Sequence, residues 1–125
     1  MQESGEMYLE TILILSKRQR QVRAIDVSEY MQYSKPSVSR ALGILKESGH
    51  ILVDSGTGQI TLTPAGLAKA GKIYERHTVL TSALERIGVS PETAEEDACK
   101  VEHYISDETF DAIRNCLKDV LPEKE

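Results

Sequence analysis

The segment from Ser34 to Gly49 constrains the fold more than any other part of the chain. Ser34 is a favoured helix N-cap residue, and Pro36 fits the first helical turn, where its missing N–H donor costs nothing. Gly49 is a typical helix stop. Between these signals, apolar residues recur at helical spacing: Val38, Leu42 and Leu45. The segment is therefore predicted to be a capped amphipathic helix.

Two helices are predicted before this segment and a hairpin after it. Apolar residues at helical spacing predict helices over residues 5–17 and 24–31. Residues 50–54 and 59–62 are short apolar runs on either side of a Ser-Gly-Thr-Gly turn, which is typical of a β-hairpin. Three helices followed by a glycine-tipped hairpin is the element order of a winged helix-turn-helix.

The second half of the chain is predicted to be helical. Ser or Thr caps, two of them followed by Pro, predict helices over residues 64–86, about 91–104 and about 107–120. No internal repeat or flexible linker is present, so the boundary near residue 70 lies inside a helix. The chain is therefore predicted to be mainly α, with a winged-helix domain over residues 1–70 and a helical domain over residues 71–125.

Charge is divided unevenly between the two halves. The net charge is -5, from 15 Lys and Arg against 20 Asp and Glu. Residues 1–70 hold 8 basic and 7 acidic residues, which gives +1, and residues 71–125 hold 7 and 13, which gives -6. The first half is therefore the only plausible surface for a polyanion.

The third predicted helix carries the candidate DNA contacts. With its apolar stripe turned inward, Ser37 and Arg40 face outward and could reach bases, since arginine suits a guanine edge. A helix with a merely solvated basic face would look the same, and the hairpin after it is what favours DNA. The candidates for base and phosphate contacts are Lys35, Pro36, Ser37, Ser39, Arg40 and Lys46.

A compact set of metal-ligand types lies in the second half. Cys99, Glu102 and His103 stand at i, i+3 and i+4, so one helix would present all three within an arc of about 100 degrees. Further ligand types lie on the first and fourth predicted helices: Met7, Glu10 and His77. Each residue alone is better explained by core packing or solvation, and the combination is what indicates a metal.

At these motifs the chain resembles the diphtheria toxin repressor and manganese transport regulator family of metal-dependent transcriptional repressors. The resemblance rests on EMYLETI (6–12), SKPSVSRAL (34–42), LTPAG (62–66), ERH (75–77) and ACKVEHYIS (98–106), and it runs nearly end to end. It implies a winged-helix half and a helical dimerisation half. It also implies that a divalent metal acts as co-repressor and fixes a homodimer on a palindromic operator of metal homeostasis genes.

The resemblance implies ligands from both branches of that family. The primary site of the iron-responsive branch matches at Met7, Cys99, Glu102 and His103. The manganese branch has acidic residues in place of Met7 and Cys99, yet Glu10 and His77 match its ligands. The ancillary site of the iron branch falls at Thr81 and Glu95, which depart from its pattern. Longer members also carry a third, SH3-like domain, and regulation by such a domain is not expected for this sequence, which ends at Glu125.

Metal identity follows from ligand softness. A thioether and a thiolate favour Fe(II), Co(II), Ni(II) or Zn(II) over Mn(II), so Fe(II) is the predicted metal, with Mn(II) and other divalent ions left open. The alternatives are a manganese-responsive regulator of the same family and a winged-helix regulator that no metal controls. An enzyme is not expected, because the sequence offers no substrate-pocket motif and no separate catalytic base.

The remaining features indicate a cytoplasmic protein. No apolar stretch approaches the roughly 20 residues that cross a bilayer, and the amino end lacks a signal-peptide pattern. Cys99 and Cys116 give no reason to expect a disulfide in a reducing compartment. No membrane contact and no organic ligand are expected. Apolar residues of the last helix are predicted to be core or dimer-interface residues: Phe110, Ile113, Leu117 and Val120.

Overall fold

The computed structural model describes residues 3–120, with side chains from residue 5 to residue 118. This part of the chain is mainly helical, with one two-stranded antiparallel sheet. Its elements in chain order are α1 (Glu3–Arg18), α2 (Ala24–Met31), α3 (Lys35–Glu47), β1 (Ile51–Val53), β2 (Ile60–Leu62), α4 (Pro64–Arg86), α5 (Pro91–Val101) and α6 (Asp107–Val120). The predicted fold class is confirmed. None of the helices described is long and apolar enough to span a bilayer.

The chain divides into two compact units, Met1–Lys72 and Ile73–Glu125. The division falls within α4, so this helix contributes residues to both units. The first unit holds α1, α2, α3 and the hairpin, and the second holds α5 and α6.

The third helix begins as its sequence predicts. The Ser34 side chain accepts a hydrogen bond from the Ser37 backbone N–H, which satisfies one of the free amides at the helix start. The predicted apolar stripe is buried: Val38, Leu42 and Leu45. With the buried residues of α1 and α2, this stripe forms the core of the first unit.

The hairpin is anchored at both ends. Its strands pair with Ile51 opposite Leu62 and Val53 opposite Ile60. The Ile60 N–H donates to the Val22 carbonyl oxygen at 2.7 Å, so the segment after α1 extends the sheet by one contact. At the base of the hairpin, a Cβ atom on Gly66 would lie 2.0 Å from the His50 carbonyl oxygen. Only glycine allows the start of α4 to approach His50, the residue before β1, this closely.

The second unit packs around a small apolar cluster. Its fully buried members are Leu80 of α4, Ala98 of α5 and Phe110 of α6. Val79, Leu84, Ile105 and Ile113 pack against them. Phe110 is therefore a core residue of this unit, and Leu117 is half-buried. The side chain of Val120 lies outside the described residues.

Helix α5 ends three residues earlier than predicted. Its last residue is Val101 rather than about Tyr104, and Glu102 is the C-cap. The Tyr104 and Ile105 N–H groups both donate to the Val101 carbonyl oxygen at 3.0 Å, so the chain turns after Val101. The carbonyl oxygens of Glu102 and Ile105 accept hydrogen bonds from the Arg76 side chain, which stabilises this turn. Ser106 then caps α6 by accepting a hydrogen bond from the Thr109 N–H.

Candidate metal centre and nucleic-acid interface

The candidate metal centre is built around a buried carboxylate, Glu102. This residue caps the C-terminus of α5, where its N–H donates to the Ala98 carbonyl oxygen, and its side chain is fully inaccessible to solvent. His77 comes from α4, and its Nδ1 lies 2.9 Å from Glu102 Oε1. The two residues are 25 positions apart and meet because α4 packs beside the end of α5.

A second imidazole faces the other oxygen of Glu102. His103 Nε2 lies 3.3 Å from Glu102 Oε2, and the His103 side chain is 1% exposed. Within the described residues, Glu102 Oε2 accepts no hydrogen bond that meets normal geometry. A second carboxylate stands at the edge of this group, with Glu95 Oε2 3.9 Å from His77 Nε2.

This donor set suits a divalent transition metal. Removing a carboxylate from water costs several kcal/mol unless a cation or strong donors compensate it. Glu102 Oε2 is fully buried and lacks such a donor in the described part of the chain. Two imidazole nitrogens and a carboxylate oxygen are ligands that zinc, iron and manganese ions share. The residues present therefore fit the metal that the sequence predicts.

The predicted ligands differ in where they lie. The structure brings together His77, Glu102 and His103. Glu102 is the C-cap of α5 and His103 follows it in a turn, so the prediction that one helix presents Cys99, Glu102 and His103 is wrong: only Cys99 lies within α5. Cys99 is on α5, is half-buried, and is not part of a disulfide.

The remaining two predicted ligands belong to the first unit. Met7 is half-buried on α1, and Glu10 is buried one turn later on the same helix. Glu10 is 7% exposed, and this position on α1 leaves it a ligand candidate.

One residue beside the centre escaped the sequence analysis. Arg76 directly precedes His77 on α4 and is 7% exposed. Its guanidinium contacts the turn that carries Glu102 and His103. The available signal was the Glu-Arg-His motif itself, but no local pattern shows that an arginine on one helix will bond to a turn 26 residues later.

The candidate DNA surface is the outer face of α3. Of the predicted contacts, Ser37 is half-buried and the rest are exposed: Lys35, Pro36, Ser39, Arg40 and Lys46. Ser34 Oγ donates to Ser37 Oγ at 2.9 Å, and one Arg40 guanidinium nitrogen lies 3.5 Å from the same oxygen. The arginine therefore lies over the start of the helix, where the described residues leave most of its donors available for a base edge or phosphate.

An aromatic pair joins α1 to the turn before α3. The rings of Tyr8 and Tyr33 lie 6.1 Å apart at 58°, within the range of favourable tilted pairs. Burial and the nearby Tyr33 raise the pKa of Tyr8 above its usual value of 10.0, and the Arg40 charge partly offsets this rise. Tyr8 lies between Met7 and Glu10 in sequence, so α1 carries both the ligand candidates and the ring that contacts the turn before α3.

Comparisons with known proteins cover both units. Residues 1–57 match the model for the N-terminal DNA-binding domain of iron-dependent repressors, and residues 63–121 match their metal-binding and dimerisation domain. An uncharacterized HTH-type transcriptional regulator of Methanocaldococcus jannaschii is 31% identical over 91% of this chain and 92% of its own length. The transcriptional regulator MntR of Escherichia coli O157:H7 is 36% identical over 86% of this chain and 68% of its own.

Solved structures agree with these matches. A manganese-dependent transcriptional repressor in complex with manganese superposes with a TM-score of 0.83 at 25% identity. The match covers 90% of this chain and 52% of that one, so the chain spans about half the length of that repressor. The relatives are named as transcriptional regulators, not as enzymes. The chain therefore belongs to the iron-dependent repressor family of metal-dependent transcriptional regulators.

Proposed function

We propose that a divalent transition metal is the co-repressor of this protein and that Glu102, His77 and His103 hold it. The observation that carries the proposal is the fully buried Glu102 carboxylate with an imidazole nitrogen near each of its oxygens, at 2.9 and 3.3 Å. When bound, the cation supplies the positive charge that a buried carboxylate requires. The imidazoles orient toward that position from α4 and from the turn after α5.

Three further ligands are proposed from the sequence: Met7, Glu10 and Cys99. Met7 and Glu10 lie on α1, which contacts α3 in the same unit. A ligand that prefers one arrangement of α1 shifts the population of that arrangement, which is how metal binding would favour DNA binding.

We propose that the protein is a homodimer and that the outer face of α3 in each subunit contacts the DNA bases. One such helix contacts only a few base pairs, and two helices related by a twofold axis read a palindromic operator. The residues proposed for the contacts are Lys35, Pro36, Ser37, Ser39, Arg40 and Lys46. We propose that the genes under its control serve metal homeostasis, because a repressor that needs bound metal responds to the metal supply.

Iron is the favoured metal, and manganese is the second candidate. The soft donors of Met7 and Cys99 favour Fe(II) over Mn(II). Manganese is supported by the names of relatives, which include a manganese-dependent repressor. In the double variant Met7→Asp with Cys99→Glu, we expect the ratio of the Mn(II) dissociation constant to that of Fe(II) to fall by about tenfold or more. An unchanged ratio would show that these two residues do not set the preference.

Isothermal titration calorimetry with Mn(II), and with Fe(II) under anaerobic conditions, tests the proposed site. The Glu102→Gln variant keeps the shape of the side chain but removes its charge, and we expect it to lose at least about 100-fold in metal affinity. Glu108→Gln is the matched control, since Glu108 is exposed in the first turn of α6. Equal affinity of the wild type and Glu102→Gln would contradict the proposal.

A further inference from the structure

We propose that Arg76 is a positioning residue that holds the turn after α5 in the conformation in which Glu102 and His103 face a metal. The inference rests on the proposed function, since it concerns the same centre. It adds a residue that is not itself a ligand and that acts through the backbone of the turn.

The contacts of Arg76 are concentrated on that turn. One guanidinium nitrogen, Nη1, donates to the carbonyl oxygens of Glu102 at 3.0 Å and Ile105 at 2.9 Å. The other, Nη2, donates to the Asp107 carboxylate at the start of α6. These three acceptors bracket His103, so a single side chain fixes the backbone on both sides of it.

The chemistry of arginine suits this role. Its planar guanidinium stays charged and presents donors in fixed directions, whereas the ammonium of lysine is a point charge. The carbonyl oxygens at the end of α5 carry the negative end of the helix dipole, which favours a cation there. The guanidinium carbon also lies 5.4 Å from the centre of the Phe110 ring, which holds the fork in place.

Arg76 and His77 are adjacent on α4, and both contact Glu102. His77 reaches the carboxylate of Glu102, while Arg76 bonds to the backbone carbonyl of the same residue. The side chain and the main chain of Glu102 are thus both fixed from one helix. Groups that orient metal ligands in this way change metal affinity by roughly 10- to 100-fold when removed.

Arg114 provides a matched control within the same unit. Its guanidinium carbon lies 5.3 Å from the same Phe110 ring, and it pairs with Glu75 at 3.0 Å and Asp111 at 2.8 Å. None of these contacts involves the turn after α5. Loss of Arg114 removes an ion-paired arginine from the Phe110 ring but leaves every hydrogen bond between Arg76 and the turn after α5.

Titration with Co(II) tests the inference, because the Co(II) absorption spectrum reports the geometry of its ligands. For Arg76→Ala we expect a Co(II) dissociation constant about 10- to 100-fold above that of the wild type, with a shifted or weakened ligand-field band. For Arg114→Ala we expect a dissociation constant within about threefold of the wild type and an unchanged band. Thermal unfolding of each metal-free protein shows how far it is destabilised.

Arg76→Lys covers the case in which Arg76→Ala does not fold. Lysine retains the charge and the length of the stem, but one ammonium cannot reproduce the geometry of the fork across three acceptors. We expect an altered band and a dissociation constant at least about fivefold higher. A wild-type dissociation constant and band in a folded Arg76 variant, or equal weakening by Arg114→Ala, overturns the inference. Absence of Co(II) binding by the wild type overturns the proposed function, and this inference with it.

Discussion

Single residues show what the sequence reveals about the site and what it does not. Ligand types and their spacing are local, so Cys99, Glu102 and His103 were identifiable from the ACKVEH segment. The complete burial of Glu102 and its approach to His77 are tertiary facts, since these residues are 25 positions apart. The same is true of Arg76, whose acceptors lie on another part of the chain. Spacing alone cannot predict such contacts.

At the tip of the hairpin, Asp54 is expected to make the turn sensitive to acid. Its Oδ2 accepts hydrogen bonds from the Gly56 and Thr57 N–H groups and from the Thr57 hydroxyl. These bonds, led by the Thr57 N–H, lower the pKa of Asp54 below its usual value of 3.8. A lowered folded-state pKa means that the turn is stabilised above the unfolded pKa and loses this contribution as the pH falls through the folded one.

An NMR titration of the Asp54 carboxyl carbon measures this shift. We expect a midpoint below 3.8, and a midpoint that moves toward the usual value when Thr57 is replaced by Ala. A midpoint at or above the usual value in the wild type would show that the turn does not stabilise the carboxylate.

Elements were predictable where their signals are local. Ser34 and Pro36 mark the start of α3, and the bounds of α4 follow from the Thr63-Pro64 start and the Gly88 break. The end of α5 was not predictable, because the turn that follows it is held by hydrogen bonds from Arg76 of another helix. Local patterns therefore fixed how most helices begin, and tertiary contacts decided where one of them ends.

Two glycines on α4 are expected to respond oppositely to alanine. Gly66→Ala places a Cβ 2.0 Å from the His50 carbonyl oxygen, so the backbone must shift and stability should fall by about 1–3 kcal/mol. A Cβ atom on Gly71 would meet no atom within 4 Å outside the neighbouring backbone of α4, and Gly71→Ala should stabilise the protein by about 0.5–1 kcal/mol. Urea unfolding of both variants measures the difference. Equal effects of the two substitutions would contradict the close approach at Gly66.

Two basic residues of α3 are expected to affect DNA binding differently. Arg40→Ala should cost about 1–3 kcal/mol on the preferred duplex and relax its sequence preference, because a base-reading fork is lost. Lys46→Ala should weaken binding to all duplexes alike and reduce the salt slope by about 1, because a phosphate contact is lost. Fluorescence anisotropy over a range of salt concentrations separates the two effects. If Arg40→Ala lowered the affinity for all duplexes equally, Arg40 would contact a phosphate rather than a base.

At the scale of the whole molecule, charge and composition located the function before any contact was known. The net charges of +1 for residues 1–70 and -6 for residues 71–125 indicate that a polyanion such as DNA binds to the first half. The family match over residues 1–57 and 63–121 agrees with that assignment. The choice between iron and manganese could not be made in this way, since ligands typical of both branches occur in one chain.

The most direct measurement of the central claim is metal-dependent DNA binding by the wild type and by Glu102→Gln. A labelled duplex selected from a random pool with the metal-loaded wild type serves as the probe, and fluorescence anisotropy is recorded with Fe(II) or Mn(II) and with a chelator. We expect nanomolar binding by the wild type with metal, a loss of at least about 100-fold with chelator, and the weak value throughout for Glu102→Gln. Equally tight binding by the wild type with and without metal, or metal-dependent binding by Glu102→Gln at the wild-type level, would contradict the claim.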